Sequence, residues 1–131
     1  MNNQTTWKYI FQLKAVINWV ESVFLLLSDQ WIREILGQEP LTNPEYSHLF
    51  LVLVFVIGIG YWWVGNDIFR NLSIVKLGII AQSSVFVVLA YHTLVSKLHP
   101  FYLIPGIIDL TFAILFGIFL NSYARTQPAI E

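Results

Sequence analysis

The sequence predicts an all-α integral membrane protein, an antiparallel four-helix bundle that forms a single transmembrane domain over residues 1–131. Composition is the first reason. The chain is 56% hydrophobic and only 11% charged, whereas about a quarter of the residues of a soluble domain are charged. Helical projection is the second reason. Segments 49–64 and 101–120 are apolar on nearly every side, which is typical of helices that contact lipid.

Four segments are long enough to cross a bilayer, because a hydrocarbon core of about 30 Å needs roughly 20 helical residues. The predicted spans are 9–27, 47–64, 74–95 and 101–120. The first span carries a polar stripe and could instead lie in the membrane interface. Residues 20–27 contain only Glu21 and Ser22 as polar residues, so we expect the segment to span.

Breakers and turn residues separate these spans. Segment 28–46 has aromatic and apolar residues at helical spacing up to Leu36, followed by Gly37 and Pro40, which predicts a short interfacial helix and then a loop. Residues 65–67 predict a turn, and the pair at 99–100 predicts a tight connection. Short connections favour antiparallel neighbours.

Basic residues near the ends of spans favour the cytoplasmic side of a membrane. In this chain they are distributed unevenly between the two ends of the predicted bundle. One end carries Lys8, Lys14, Arg70, Lys76 and Arg125, and the other carries Arg33 and Lys97. Both termini are therefore predicted to be cytoplasmic.

Polar side chains also occur inside three of the predicted spans. Asn18 and Glu21 belong to a polar arc of the first span that also contains Lys14, Ser22, Ser28 and Asp29. Asp109 shares a face of the fourth span with small residues that permit close helix approach. Gln82 shares a face of the third span with His92. At 1.5 Å per residue, Glu21, Gln82 and Asp109 lie at similar depths, so we expect them to converge near the bilayer midplane.

Two carboxyl groups close together in a medium of low dielectric cannot both ionise easily. Glu21 and Asp109 are therefore predicted to share a proton, or to be bridged by Asn18, Gln82 or water. Two interpretations stay open: a ligand or proton site, and hydrogen bonds that simply hold the helices together. His92 is interpreted as a polar residue at the outer end, and no metal site is predicted, because the histidines lack metal-ligand spacing.

Several classes of function are disfavoured or excluded. A formal net charge of −1 provides no basic patch for nucleic acid. The absence of cysteine excludes thiolate metal sites and thiol redox chemistry on this chain. No catalytic signature is present, so a role other than catalysis is favoured. An enzyme that uses Glu21 and Asp109 for acid and base chemistry stays an alternative.

Three segments carry a resemblance to a known family. Residues 70–82 (RNLSIVKLGIIAQ), 105–116 (PGIIDLTFAILF) and 58–63 (GIGYWW) resemble recurring features of small DoxX-like bacterial four-helix membrane proteins. The resemblance implies a bacterial inner membrane, or another membrane that faces a cytoplasm. Some members are associated with quinone-linked oxidation of sulfur compounds. No catalytic residue is carried over to this chain.

The leading hypothesis is a binding module that holds a small amphipathic ligand, such as a quinone or a lipid, against Glu21, Gln82 and Asp109. Aromatic residues make up 16% of the chain and could form the apolar walls of such a site. The alternative is an accessory or structural subunit of a larger membrane complex. Besides the lipid bilayer, a homo-oligomer is a further possible partner, through the small residues of the fourth span.

Overall fold

A computed structural model describes residues 3–96 and 98–126, without the side chains of 124–126. This part of the chain contains four α-helices and no strand. The helices are α1 (Asn3–Ile35), α2 (Pro44–Asn66), α3 (Leu72–Val95) and α4 (Leu103–Thr126), and a short 3-10 helix (Pro100–Tyr102) precedes α4. Four helices are long and apolar enough to cross a membrane. The prediction of an all-α chain with four helices compatible with membrane spans is confirmed.

Helices α2 and α3 contain the predicted spans 47–64 and 74–95. Helix α2 begins three residues earlier and ends two residues later than predicted, and α3 begins two residues earlier and ends at the predicted residue. Pro44 occupies the first turn of α2. Its fixed φ suits a helix, and the N–H that proline lacks would have no intrahelical partner at this position. Segment 101–120 differs in one respect, because its first two residues belong to the 3-10 helix. Lys97, one of the two outer basic residues, lies outside the described residues.

Helix α1 is longer than predicted. The prediction of a separate short interfacial helix after the first span is wrong, because those residues continue α1. Residues Asn3–Ile35 form one continuous α-helix of 33 residues. The segment after position 27 contains no glycine or proline before Gly37, so nothing breaks the helix there. Gly37 has a φ of 65° and ends the helix in the left-handed conformation that glycine favours. At 1.5 Å per residue, α1 is about 50 Å long and exceeds the thickness of a hydrocarbon core.

The chain divides into two units after Ile68. The first unit contains α1 and α2, and the second contains α3, the 3-10 helix and α4. Within the first unit the helices approach closely at two glycines of α2. A Cβ at Gly58 would lie 2.8 Å from the Trp19 Nε1 atom and 3.1 Å from the Asn18 Cβ atom. A Cβ at Gly65 would lie 2.6 Å from the Gln12 Cγ atom.

Within the second unit, α3 and α4 meet at Gly106, and the turn before α3 contacts α4 through aromatic rings. A Cβ at Gly106 would lie 3.2 Å from the Leu89 Cδ1 atom. The rings of Phe69 and Tyr123 have their centroids 5.3 Å apart. Gly117, another small residue of α4, has no atom within 4 Å of the position of a Cβ. Helix α4 therefore packs closely at Gly106 and leaves open space at Gly117.

Candidate functional site

A polar stripe runs along the buried face of α1. Its members are three side chains spaced four residues apart: Lys14 with 0% of its surface exposed, Asn18 with 4% and Ser22 with 3%. Phe11 and Ala15 are fully buried on the same side of the helix. Polar residues of a helix are usually turned toward water, so the burial of all three is unusual. We call these three residues the α1 polar stripe.

Asn18 contacts α2 directly. Its Nδ2 atom donates a hydrogen bond to the Val54 carbonyl oxygen at 3.2 Å. Because only the amide nitrogen can donate to a carbonyl, this bond fixes which end of the amide is oxygen. The Oδ1 atom is buried and has no hydrogen-bond partner among the described residues. Asn18 therefore presents a buried acceptor that lacks a donor.

Ser22 and Trp19 use their polar atoms within the first unit. The Ser22 Oγ atom donates to the Asn18 carbonyl oxygen at 2.6 Å, which is a bond within α1. The Trp19 Nε1 atom donates to the Phe55 carbonyl oxygen at 3.2 Å. The Trp19 ring also lies near Phe55 and Trp62, with centroid distances of 6.1 Å and 5.6 Å. Aromatic surface thus adjoins the α1 polar stripe on the side of Trp19.

Gln82 has similar chemistry in the second unit. It lies in α3 and is only 3% exposed. Its Nε2 atom donates to the Gly78 carbonyl oxygen at 3.1 Å. Its Oε1 atom is buried and finds no hydrogen-bond partner in the described part of the chain. Among the described residues, a buried amide oxygen without a hydrogen-bond partner thus occurs at Asn18 and Gln38 in the first unit and at Gln82 in the second.

The two carboxyl groups that are predicted to share a proton belong to different units. Glu21 is half-buried in α1, and Asp109 is half-buried in α4. Each of them makes at least one interaction of its own. It stays a prediction that the two carboxyl groups converge with Gln82 and that they share a proton.

Two histidines near the predicted outer end have local roles. His92 is exposed, and its Nδ1 atom lies 2.9 Å from the Ser96 Oγ atom, one turn further along the chain. His99 caps the 3-10 helix, because its Nδ1 atom accepts a hydrogen bond from the Phe101 N–H at 3.1 Å. Among the described residues, no group of three or more histidine, aspartate or glutamate side chains is close enough to hold a metal ion.

The sequence places Lys14 and Ser22 on the polar arc of the first span, but the predicted site includes neither of them. The charge pattern placed Lys14 among the cytoplasmic basic residues, whereas the structure buries its whole side chain. A signal was available in the sequence, because Lys14 precedes Asn18 and Ser22 at intervals of four. Residues four apart lie on one helix face, so burial of that face includes the lysine.

Comparisons with known proteins add no assignment. No family model, no curated protein and no solved structure matches the chain. The function must therefore be inferred from the buried polar side chains and the apolar helices that position them.

Proposed function

We propose that the chain crosses a membrane four times and binds a small amphipathic ligand, quinone-like or lipid-like, at the α1 polar stripe. The observation that carries this proposal is the buried Asn18 Oδ1 atom, which lacks a donor. A buried acceptor without a partner costs about 1–3 kcal/mol. A ligand that carries a hydroxyl group, such as a lipid headgroup or the hydroquinone form of a quinone, can donate to this oxygen and removes that cost when it binds, whereas an oxidised quinone has only acceptors.

The topology that goes with this proposal has antiparallel neighbours and cytoplasmic termini. In the first unit, the antiparallel arrangement of α1 and α2 is supported by the positions of their contacts. Gly58 lies close to residues 18–19, whereas Gly65, further along α2, lies close to Gln12, which is earlier in α1. The cytoplasmic location of the termini is supported by the distribution of lysine and arginine near the ends of the helices. The membrane proposed is a bacterial inner membrane, as the resemblance to DoxX-like proteins implies.

The surroundings of Asn18 suit a ligand with a polar head and an apolar body. Trp19 follows Asn18 in α1, and its ring lies near the rings of Phe55 and Trp62. Ligand sites in proteins are commonly apolar, with a few polar groups that fix the orientation of the ligand. The amide would bind the polar head, and the rings would contact the apolar body.

A structural role is the second candidate, and one observation favours it. The bond from Asn18 to the Val54 carbonyl joins α1 to α2, as a hydrogen bond that only stabilises helix packing would do. The chain would then be an accessory or structural subunit of a membrane complex. The two candidates predict opposite effects on stability when the amide is removed.

The variant Asn18→Leu tests the proposal, since leucine keeps the branching and the number of heavy atoms of asparagine without its polar atoms. Chains purified in mild detergent are extracted, and bound small molecules are quantified by mass spectrometry. We expect at least a tenfold loss of ligand, because one hydrogen bond in a buried site is worth about a factor of ten. The variant should be more stable than the ligand-free parent by about 1–2 kcal/mol, since relief of the orphaned oxygen exceeds the roughly 0.6 kcal/mol of an interhelical bond.

The control is Asn121→Leu, the same substitution at an exposed position of α4. It should change neither ligand content nor stability. Retention of the ligand by Asn18→Leu contradicts the binding proposal. A loss of stability without any ligand in the parent supports the structural candidate instead.

A further inference from the structure

A cavity lies in the first unit, at the end where α1, the following loop and the start of α2 meet. Its volume is about 370 Å³. Its charged and polar lining consists of Asp29, Gln30 and Arg33 of α1 and His48 of α2. Leucine and proline side chains, among them Leu26, Leu27 and Leu41, provide its apolar lining. None of these residues belongs to the α1 polar stripe.

A positively charged and a negatively charged side chain lie close together in this cavity. The Arg33 Nε atom lies 3.4 Å from the Asp29 Oδ1 atom, one helical turn away. Their side chains are only 16% and 14% exposed, so both charges are held largely away from bulk water. The first turn of α2 adds Pro44 to the lining, and the N-terminal end of a helix favours negative charge.

We propose that this cavity binds the headgroup of a zwitterionic phospholipid that joins a phosphate to a primary ammonium. The phosphate binds Arg33 and His48 near the start of α2, and the ammonium binds the Asp29 carboxylate. A guanidinium has five N–H donors and suits phosphate geometry, so Arg33 can bind a phosphate while it keeps its contact with Asp29.

The depth of the cavity fits a headgroup. The first predicted span ends at Leu27, and Asp29 and Arg33 follow by two and six residues. At 1.5 Å per residue these side chains begin about 3–9 Å beyond the apolar segment. The headgroup layer occupies about 5–8 Å on each side of a hydrocarbon core. Leu26 and Leu27 are 40% and 81% exposed on the preceding turn, where they can contact the acyl chains.

The lining distinguishes a primary ammonium from a quaternary one. A primary ammonium donates hydrogen bonds to a carboxylate, whereas a trimethylated ammonium has no N–H to donate. Quaternary ammonium groups are bound instead by the faces of aromatic rings. The lining of this cavity includes no tryptophan, tyrosine or phenylalanine. Asp29 therefore favours phosphatidylethanolamine over phosphatidylcholine.

Native mass spectrometry of the full chain tests the proposal, with phosphatidylethanolamine and phosphatidylcholine of identical acyl chains as probes. We expect the parent to bind the ethanolamine lipid about tenfold more tightly, as a charge-assisted hydrogen bond implies. Asp29→Asn should abolish that preference and leave phosphatidylcholine binding unchanged. Arg33→Gln should weaken binding of both lipids about tenfold, because the phosphate is common to them. Equal affinity of the parent for the two lipids overturns the proposal.

Glu34→Gln and Lys76→Gln are matched controls, since both side chains are exposed and outside the cavity. They should leave both affinities unchanged. Glycerophosphoethanolamine, which has the same headgroup without acyl chains, distinguishes a lipid from a soluble ligand. We expect it to compete only at concentrations at least about a hundredfold higher, since it lacks the apolar contacts of the chains. Competition at the concentration of the lipid identifies a soluble ligand and overturns the lipid assignment.

A measurement on the parent chain alone avoids any folding defect of the variants. Phosphatidylethanolamine with a photoreactive group at the glycerol end of one acyl chain is crosslinked in vesicles, and labelled peptides are identified. We expect labelling to concentrate in residues 26–48. Labelling spread evenly over the exposed faces of all four helices overturns the proposal. The lining of this cavity contains no residue of the α1 polar stripe. Loss of ligand in Asn18→Leu therefore tests the proposed function, and loss of lipid preference in Asp29→Asn tests the lipid site independently.

Discussion

The variant Gly58→Ala is expected to lower the free energy of unfolding by about 1–3 kcal/mol, the usual cost of extra volume in a packed interior. The new Cβ would lie 2.8 Å and 2.9 Å from two atoms of the Trp19 indole and 3.1 Å from the Asn18 Cβ atom. The indole cannot move aside without losing its bond to the Phe55 carbonyl. The gain of about 0.5–1 kcal/mol in helix propensity does not offset this overlap. Unfolding in detergent, followed by circular dichroism, measures the difference.

Gly117→Ala is the matched control, because the same methyl group enters α4 where no atom lies within 4 Å. This variant should be neutral, or more stable by up to about 1 kcal/mol from helix propensity. Equal losses in the two variants would mean that glycine is required for a reason other than close packing at Trp19. Equal gains would mean that α1 and α2 are further apart than the structure places them.

Three of the four helices could be predicted closely from the sequence, because their apolar segments are long and are bounded by breakers. Pro44 marks the start of α2. The prediction of a turn at 65–67 is wrong, because Gly65 and Asn66 belong to α2 and the turn follows at 68–70. Helix α1 was predicted less well. Its polar residues after position 27 indicated the end of an apolar span, and hydropathy reports contact with lipid rather than helix continuity. Only Gly37, with its positive φ, ends the helix.

The candidate site was predictable in its residue types but not in its contacts. Helical projection placed Asn18 and Ser22 on one face of α1 with Lys14, and all three are buried. The contact of Asn18 with Val54 depends on the register between α1 and α2. That register is set by the true length of α1, by the loop after Gly37 and by the close approach at Gly58. A projection of one helix at a time shows neither the full length of α1, nor the loop after Gly37, nor the close approach at Gly58.

The second large effect is expected at Lys14, whose side chain is 0% exposed. Lys14→Ala removes the buried stem and should cost about 2–5 kcal/mol in the free energy of unfolding, as other large-to-small substitutions in packed interiors do. Lys14→Met keeps an unbranched stem of similar length and removes the ammonium group, with its charge, its N–H donors and the interaction that it makes. It should recover more than half of the stability that the alanine variant loses. The same detergent unfolding assay measures both variants.

The methionine variant also separates two interpretations of this lysine. If Lys14 served chiefly as a basic residue at the end of a span, its replacement would shift the balance of charge that orients the chain. A lysine with its whole side chain buried does not lie in a connecting loop, so Lys14→Met should leave the orientation of the termini the same as in the parent, as reporter fusions at each end can show. The remaining basic residues near that side are Lys8, Arg70, Lys76 and Arg125, against Arg33 and Lys97. Inversion of the termini in Lys14→Met, together with full stability of Lys14→Ala, would contradict a buried lysine in the α1 polar stripe.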